Sequence, residues 1–219
     1  HLSIRRQRQM CIRDRYNIKA DLIGDFQIKN LFAAMLASYL SIKNSDKIIN
    51  TLSKIRSATG RMQYVGNQKK SAVIVDYAHT PDALKNVLET INDIRTGNEQ
   101  VITVVGCGGD RDKAKRPIMG RIASQLSTQV IFTSDNPRSE DPQVILNEIE
   151  GGVEPQNFKK TLSILDREQA IKTATKLAKK GDIILIAGKG HETYQEVKGV
   201  RAHFDDLEKI TALLKEIKS

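Results

Sequence analysis

From Ser71 to the end of the chain, short apolar runs alternate with stretches whose apolar residues recur every three or four positions. The run Ser71 to Asp76 comes first, and Val101 to Val105, Val130 to Thr133, Leu162 to Leu165 and Asp182 to Ala187 follow it. Each reads as a strand, because it is β-branched, short and bounded by polar or glycine-containing segments. Between them the spacing predicts helices. Pro81-Asp82 opens one that carries Ala83, Leu84, Val87, Leu88 and Ile91, and Pro117 opens another through Ile118, Met119, Ile122, Ala123 and Leu126. A third covers Pro142 to Ile149, Asp166 caps a fourth through Ala170, Ile171, Ala174 and Leu177, and Asp205 begins the last, through Leu207, Ile210, Leu213 and Leu214. Proline suits a first turn, where its missing N–H would have had no partner. Strands apolar along their whole length are buried on both faces, so the expected class is α/β: a Rossmann-like, mostly parallel sheet with flanking helices.

The preceding residues follow another pattern. Gly24 to Leu40 reads as a loop entering an alanine-rich helix, and Ser45 or Asp46 starts a second helix toward Leu52 and Ile55. Ser57 to Gln68 is polar, punctuated by glycine, and predicts no element. A boundary near residue 58 leaves 16–58 too short to bury a core alone, so these residues are expected to be the helical end of a domain whose beginning lies elsewhere, and 59–219 a complete domain. Residues 1–15 show neither helical nor strand periodicity and are expected to be a disordered or non-native tail.

Composition narrows the choices further. A chain of 219 residues with 39% hydrophobic content excludes wholesale disorder. No apolar run approaches the ~18–20 residues that span a bilayer, and no signal-peptide pattern follows the basic start, so a cytoplasmic protein without a membrane partner is expected. Cys11 and Cys107 stand far apart and form no metal or redox motif, which fits a reducing compartment. The formal charge of +9 and pI near 9.5 raise nucleic-acid binding as a possibility. Residues 1–15, however, hold five arginines against one aspartate; they supply +4 of the +9 and leave +5 over the other 204 residues. The charge is therefore a property of one segment, and no nucleic-acid partner is expected.

In a parallel sheet, ligands bind where strands end. After the first strand, Asp76-Tyr77-Ala78-His79-Thr80 brings a carboxylate, an imidazole and a hydroxyl to a helix N-terminus, a setting for a phosphate or ribose or simply a capped helix start. After the second, Gly106-Cys107-Gly108-Gly109-Asp110-Arg111 leads into Lys113, Lys115 and Arg116; glycines permit close backbone approach, and the cations could hold an anion or form a solvated face. It is not a dinucleotide fingerprint, since Arg111 stands where the third glycine would fall. The third loop, Ser134-Asp135-Asn136-Pro137-Arg138, has a proline to stiffen it and a guanidinium fork suited to a carboxylate. The fourth, Ala187-Gly188-Lys189-Gly190-His191-Glu192, resembles a phosphate loop without meeting its spacing, and Glu192 suits an ammonium group.

Taken in order, DYAHTPDAL, GCGGDRDKAKRP, DNPRSEDP, AGKGHETYQ and HFDDLE resemble the Mur ligases of peptidoglycan synthesis, and among them the diaminopimelate-adding type. The resemblance runs from about Gly24 to the C-terminus and leaves residues 1–15 outside. It implies a three-domain, monomeric enzyme that binds a UDP-linked substrate, ATP with Mg2+, and an incoming amino acid, of which this chain corresponds to the amino-acid-binding domain and the end of the central ATP-binding one. For ATP it implies Asn30, from GDFQIKN with Gln27 in place of the usual asparagine, then Arg61 after Gly60, Asp76 on the ribose and His79 near the phosphates. For the amino acid it implies Arg111, Asp135, Asn136, Pro137, Arg138, Gly188 and Glu192. Arg138 can pair with the distal carboxylate of meso-diaminopimelate, which lysine lacks, and Glu192 suits the accompanying ammonium. The implied reaction is ATP-driven amide formation with UDP-N-acetylmuramoyl-L-alanyl-D-glutamate through an acyl-phosphate. No GxxxxGK[ST] occurs in the chain, so the catalytic set and the magnesium ligands are expected outside it, and the chain alone is expected to be inactive. A lysine-adding or folylpolyglutamate-type ligase and a non-enzymatic nucleic-acid-binding protein are the alternatives.

Overall fold

The computed structural model describes residues 2–4, 18–20, 22, 24–52, 54–66 and 71–216, with backbone alone at 2–4, 18–20, 25 and 26. The chain divides into two compact units, His1–Ala58 and Thr59–Ser219.

In the first unit, β1 (Leu2–Ile4) pairs antiparallel with β2 (Ile18–Ala20), although the sequence there shows no strand periodicity. The other residues of the 1–15 segment, Cys11 included, lie outside the described ones. Helix α1 (Asp25–Ile42) follows Gly24, whose φ of 92° glycine adopts without strain. Asn44 then caps α2 (Ser45–Leu52) by accepting the Lys47 N–H through Oδ1 at 2.9 Å. Leu31, Ile48 and Leu52 form a small buried cluster with Leu22, Met35 and Ile55 against it, while Leu36 and Leu40 of α1 are exposed.

The second unit holds β3 (Gln63–Val65), β4 (Ala72–Asp76), α3 (Pro81–Ile94), β5 (Val101–Val105), α4 (Lys115–Leu126), β6 (Gln129–Phe132) and α5 (Pro142–Glu150). A 3-10 helix over Pro155–Lys160 leads to β7 (Thr161–Ser163), α6 (Arg167–Leu177), β8 (Ile183–Ala187), β9 (Tyr194–Val197), β10 (Val200–His203) and α7 (Asp206–Glu216). The sheet order is β3-β4-β8-β5-β6-β7, with all pairs parallel except the edge strand β3. The expected α/β, Rossmann-like class is therefore the observed one.

Both sheet faces are covered. Val73, Val75, Ile102, Val104, Ile184 and Ile186 pack with Ala170, Ile171 and Ala174 of α6 and Ile210 and Leu214 of α7. The alternate residues Ile74, Thr103 and Leu185 are buried as well, and α3, α4 and α5 lie side by side with Leu84, Leu88, Met119 and Leu146 buried. Helix α4 begins two residues before the expected Pro117. A proline there is compatible with a first turn, whose N–H groups have no intrahelical acceptor.

In the second unit, four elements escape the hydrophobic pattern. Strand β3 is short and owes its conformation to its ladder with β4, the 3-10 helix is polar, and β9–β10 is a hairpin of largely polar residues. That hairpin turns through Lys198 and Gly199, both at positive φ (49° and 78°), as a two-residue turn with the right twist requires. Among the described residues, no helix is long and apolar enough to cross a membrane.

Strand β8, the last of the six-stranded sheet in chain order, inserts between β4 and β5. The crossing places the loop after β8 beside the loops after β4 and β5, with the loop after β6 next in line.

Candidate functional site

The carboxyl ends of β4, β8, β5 and β6 open into a cleft of about 710 Å³. Its walls include His79 from the first loop, Arg111 from the second, Asp135, Asn136 and Arg138 from the third, and Gly188 and Glu192 from the fourth. Four loops, the first and last more than a hundred residues apart in sequence, thus meet at one place, and Pro137 of the third is not among the lining residues.

The third loop is the most closely held. Arg138 takes φ 52°, an unusual conformation for a side chain of its size. Hairpin β9–β10 fixes it on both sides: Arg138 N–H donates to the Glu196 carbonyl at 3.0 Å, and Lys198 N–H donates to the Arg138 carbonyl at 2.6 Å. Gln195 Nε2 donates to the Asp135 carbonyl at 2.7 Å, and Glu196 N–H donates to Asn136 Oδ1 at 3.0 Å. Arg138 Nη1 in turn donates to the Gly109 carbonyl at 2.7 Å.

That last contact changes the meaning of the glycines in the second loop. A Cβ at Gly109 would collide with the Pro137 carbonyl, one at Gly106 with the Thr133 carbonyl, and one at Gly108 would stand 2.9 Å from Arg138 Nη1. The glycines let two loops approach each other and leave room for the guanidinium. The cations behind them are also differently used than the sequence suggests. Arg116 is fully buried, with Nη2 donating to Glu140 Oε1 at 2.8 Å and to the Gly108 carbonyl at 3.2 Å, and Nη1 reaching Glu148. Lys113 pairs with Glu140 at 3.0 Å, and Lys115 donates to the His79 carbonyl at 2.8 Å. Arg116 and Lys113 therefore serve the loop's own architecture. Hydrogen bonds from Arg116, Asp110 N–H and Lys113 hold the Glu140 carboxyl far below the usual carboxylate range. Arg111 stays exposed on the cleft wall. Cys107 is an inert small residue: burial pushes its thiol up to about 12, and its Sγ contacts Met119 Sδ.

Lys189 was legible in sequence only as the lysine of an imperfect phosphate loop. Its side chain is fully buried and its ammonium is the hub of the site. Nζ donates to Asn136 Oδ1 at 2.9 Å and to the Tyr194 carbonyl at 2.7 Å, and lies 3.1 Å from Asp135 Oδ1 and 3.9 Å from Glu192 Oε2. Asn136 Nδ2 donates to Glu192 Oε2 at 2.9 Å, so Asn136 joins the ammonium to the carboxylate. Burial pushes the Lys189 pKa down, and Asp135 opposes that shift. Beneath, Arg167 and Asp206 form a fully buried bidentate pair (2.8 and 2.7 Å), and Arg167 also donates to the Ala187 carbonyl.

The neighbouring wall is built from rings, with Tyr77 beside Glu192. Tyr77 stacks obliquely on His79 and His191, with centroids 4.5 and 4.9 Å away, and Arg61 lies 4.9 Å over its face. Burial, together with Glu192 and Asp135, raises the Tyr77 pKa, which keeps the phenol neutral. Gly60 crosses so close to Gly190 that neither tolerates a side chain. Asp76, read from sequence as a ribose ligand, lies buried beneath this wall, and its Oδ2 accepts the Met62 N–H at 2.6 Å. Burial raises its pKa against the hydrogen bonds of Met62 and Ala78 and the charge of Arg61. Its observed work is to pin the Gly60–Met62 turn that presents Arg61. Asn30 is an exposed residue of α1 in the first unit. Among the described residues, no group of three or more His, Cys, Asp or Glu could hold a metal ion, and no site is assigned to magnesium.

A doubly wound sheet whose strand-end loops gather Arg111, Arg138, Glu192 and His79 about one cleft defines the chain as an α/β domain with its polar side chains collected at the carboxyl ends of the strands. A family model described as "Mur ligase, glutamate ligase domain" matches residues 60–190, and the chain belongs to that family. It is 56% identical over 185 residues to a UDP-N-acetylmuramoyl-L-alanyl-D-glutamate–2,6-diaminopimelate ligase of Cytophaga hutchinsonii, covering 84% of this chain and 38% of that protein. To the protein of the same name from Bacteroides thetaiotaomicron it is 50% identical over 202 residues, or 92% and 41% of the two chains. A solved structure of a ligase of that name superposes with a TM-score of 0.72 at 39% identity, over 94% of this chain and 41% of the other. The chain thus spans about two fifths of the length of these relatives.

Proposed function

We propose that this chain is the amino-acid-binding part of an ATP-dependent ligase that joins meso-diaminopimelate to UDP-N-acetylmuramoyl-L-alanyl-D-glutamate, acting as a monomer in the cytoplasm. The observation that carries the reading is the placement of Arg138 and Glu192 on one cleft wall. A guanidinium and a carboxylate held in one hydrogen-bonded network match the carboxylate and ammonium of a distal amino-acid end. In this reading Arg138 and Arg111 take carboxylates, Glu192 with Asp135 takes the ammonium, and Asn136 and Gly188 shape the floor. Pro137 limits the freedom of the loop, which reduces the entropy lost on binding.

Arg61 and His79 face ATP from the ring-lined wall, Asp76 supports Arg61, and Asn30 is the adenine contact. ATP, accompanied by magnesium, transfers its γ-phosphoryl group to the D-glutamyl γ-carboxylate. The diaminopimelate amine then attacks the acyl carbon, a C–N bond forms, the C–O bond to phosphate breaks, and the amine proton passes to solvent. The residues of this chain contribute by holding the amine in line and excluding alternatives. The names of the 38–41%-covered relatives support the same reading.

The test is calorimetric titration of the 219-residue chain with meso-diaminopimelate and with L-lysine. Diaminopimelate is expected to bind at least about tenfold more tightly, the value of one charge-assisted contact, and the chain alone is expected to form no product with ATP and the UDP-dipeptide. Equal or tighter binding of lysine would transfer the reading to the lysine-adding ligases.

A further inference from the structure

The ammonium of Lys189 touches four of the groups that form the amino-acid wall while having no surface of its own in the cleft. A lysine that served packing alone could lie anywhere in the core, where a buried charge is costly unless paired. This one is placed where it meets Asp135 at 3.1 Å and Asn136 at 2.9 Å. The other buried cation nearby, Arg167, is taken up by Asp206. Asp135 therefore has Lys189 as its neutralising partner, and the charge presented to a ligand depends on it. With Lys189 in place, Asp135 and Glu192 share one buried cation and together present a single net negative charge beside the two arginines. Without it, Asp135 and Glu192 would both stand as anions, and a ligand end carrying an ammonium alone would be favoured over one carrying a carboxylate as well.

We infer that Lys189 is a specificity-determining positioning residue: its buried ammonium neutralises Asp135 and orients Asn136 and Glu192, so that the cleft prefers an amino-acid end bearing both charges over a purely cationic end. This rests on the proposed function, and its test separates the two. The 219-residue chain and its Lys189→Met variant, which keeps the length but not the charge, are titrated with meso-diaminopimelate and L-lysine. The ratio of the two affinities is expected to fall by roughly tenfold or more in the variant, against a common loss for both ligands if the role were only structural. An unchanged ratio in a folded variant overturns the inference and leaves the proposed function standing. A wild-type chain that shows no preference for diaminopimelate overturns both.

A second measurement needs no substitution. In the wild-type chain, one slowly exchanging lysine ammonium resonance is expected at neutral pH, moved by meso-diaminopimelate and not by equal L-lysine. If Lys189→Met does not fold, this measurement decides: an absent resonance, or one that saturating diaminopimelate leaves in place, refutes the role.

Discussion

The two walls of the cleft are built by different means. The amino-acid wall is held by oriented hydrogen bonds between loops: Arg138 to Glu196, Lys198 and Gly109, Asn136 to Glu192 and Lys189, and Arg116 to Glu140 and Gly108. The neighbouring wall is held by ring contacts around Tyr77 and by a glycine crossing, with His79 and His191 exposed. On the proposed function the first wall distinguishes one charged ligand end from another and must arrive already ordered, because the entropy of ordering it would otherwise be subtracted from the discrimination. On the same proposal the second wall meets phosphates and needs only positive charge within reach, which tolerates movement.

The largest expected effect comes from the foundation of the ordered wall. Arg167→Met leaves Asp206 buried without its partner and removes a bond to the Ala187 carbonyl; the loss is about 3–5 kcal/mol of stability, measured by urea unfolding. A loss below about 1 kcal/mol would show that this wall is not built on that pair. Next in size is Arg138→Lys. It keeps the charge but not the fork, and is expected to weaken meso-diaminopimelate binding by about ten- to a hundredfold, the worth of a charge-assisted bond. Lysine affinity and unfolding midpoint should hardly move. The smallest effect is a pH dependence. The Glu140 carboxyl lies below its usual 4.5 because of Arg116, Asp110 N–H and Lys113. A lowered carboxyl stabilises the fold above its unfolded value, so the contribution is complete above pH 4.5 and withdrawn as the pH falls below it. His203, raised by Glu208, has the opposite sign: its contribution is complete below its usual 6.5 and lost as the pH rises beyond. The protection of the Ser139 and Asp110 amides, relative to their intrinsic exchange rates, should therefore fall in acid, while the hairpin end at His203 loosens toward alkaline pH. The same response at both places would contradict the assigned ion pairs.

Much of this fold can be read locally. Val101 to Val105 and Ile183 to Ala187 are strands in any context that buries both faces, and Thr80, Asp141 and Asp166 are helix caps by their chemistry, as the hydrogen bonds to Ala83, Gln143 and Gln169 show. Hairpin β9–β10 was not visible, because Tyr194 to His203 lacks the apolar alternation of a half-buried strand; only its Lys198-Gly199 turn signalled it. Arg116 was visible as a residue but not in its role, since a cation after a glycine loop looks the same in sequence whether it meets an anion or Glu140, and the Asp76 contact to the Met62 N–H was equally beyond local pattern.

The sequence by itself determined the class of the fold, the positions of five of the six strands of the main sheet and the four polar loops that follow four of them, because hydrophobic period, caps and glycines act over a few residues. Tertiary structure alone decided which polar groups face the cleft and which brace it. That choice depends on β8 inserting between β4 and β5 and on the hairpin closing over Arg138, contacts between residues scores of positions apart. A buried lysine such as Lys189 becomes a hub only when Asp135 and Asn136 of a distant loop meet it beside its near neighbours Glu192 and Tyr194, and no local pattern encodes that.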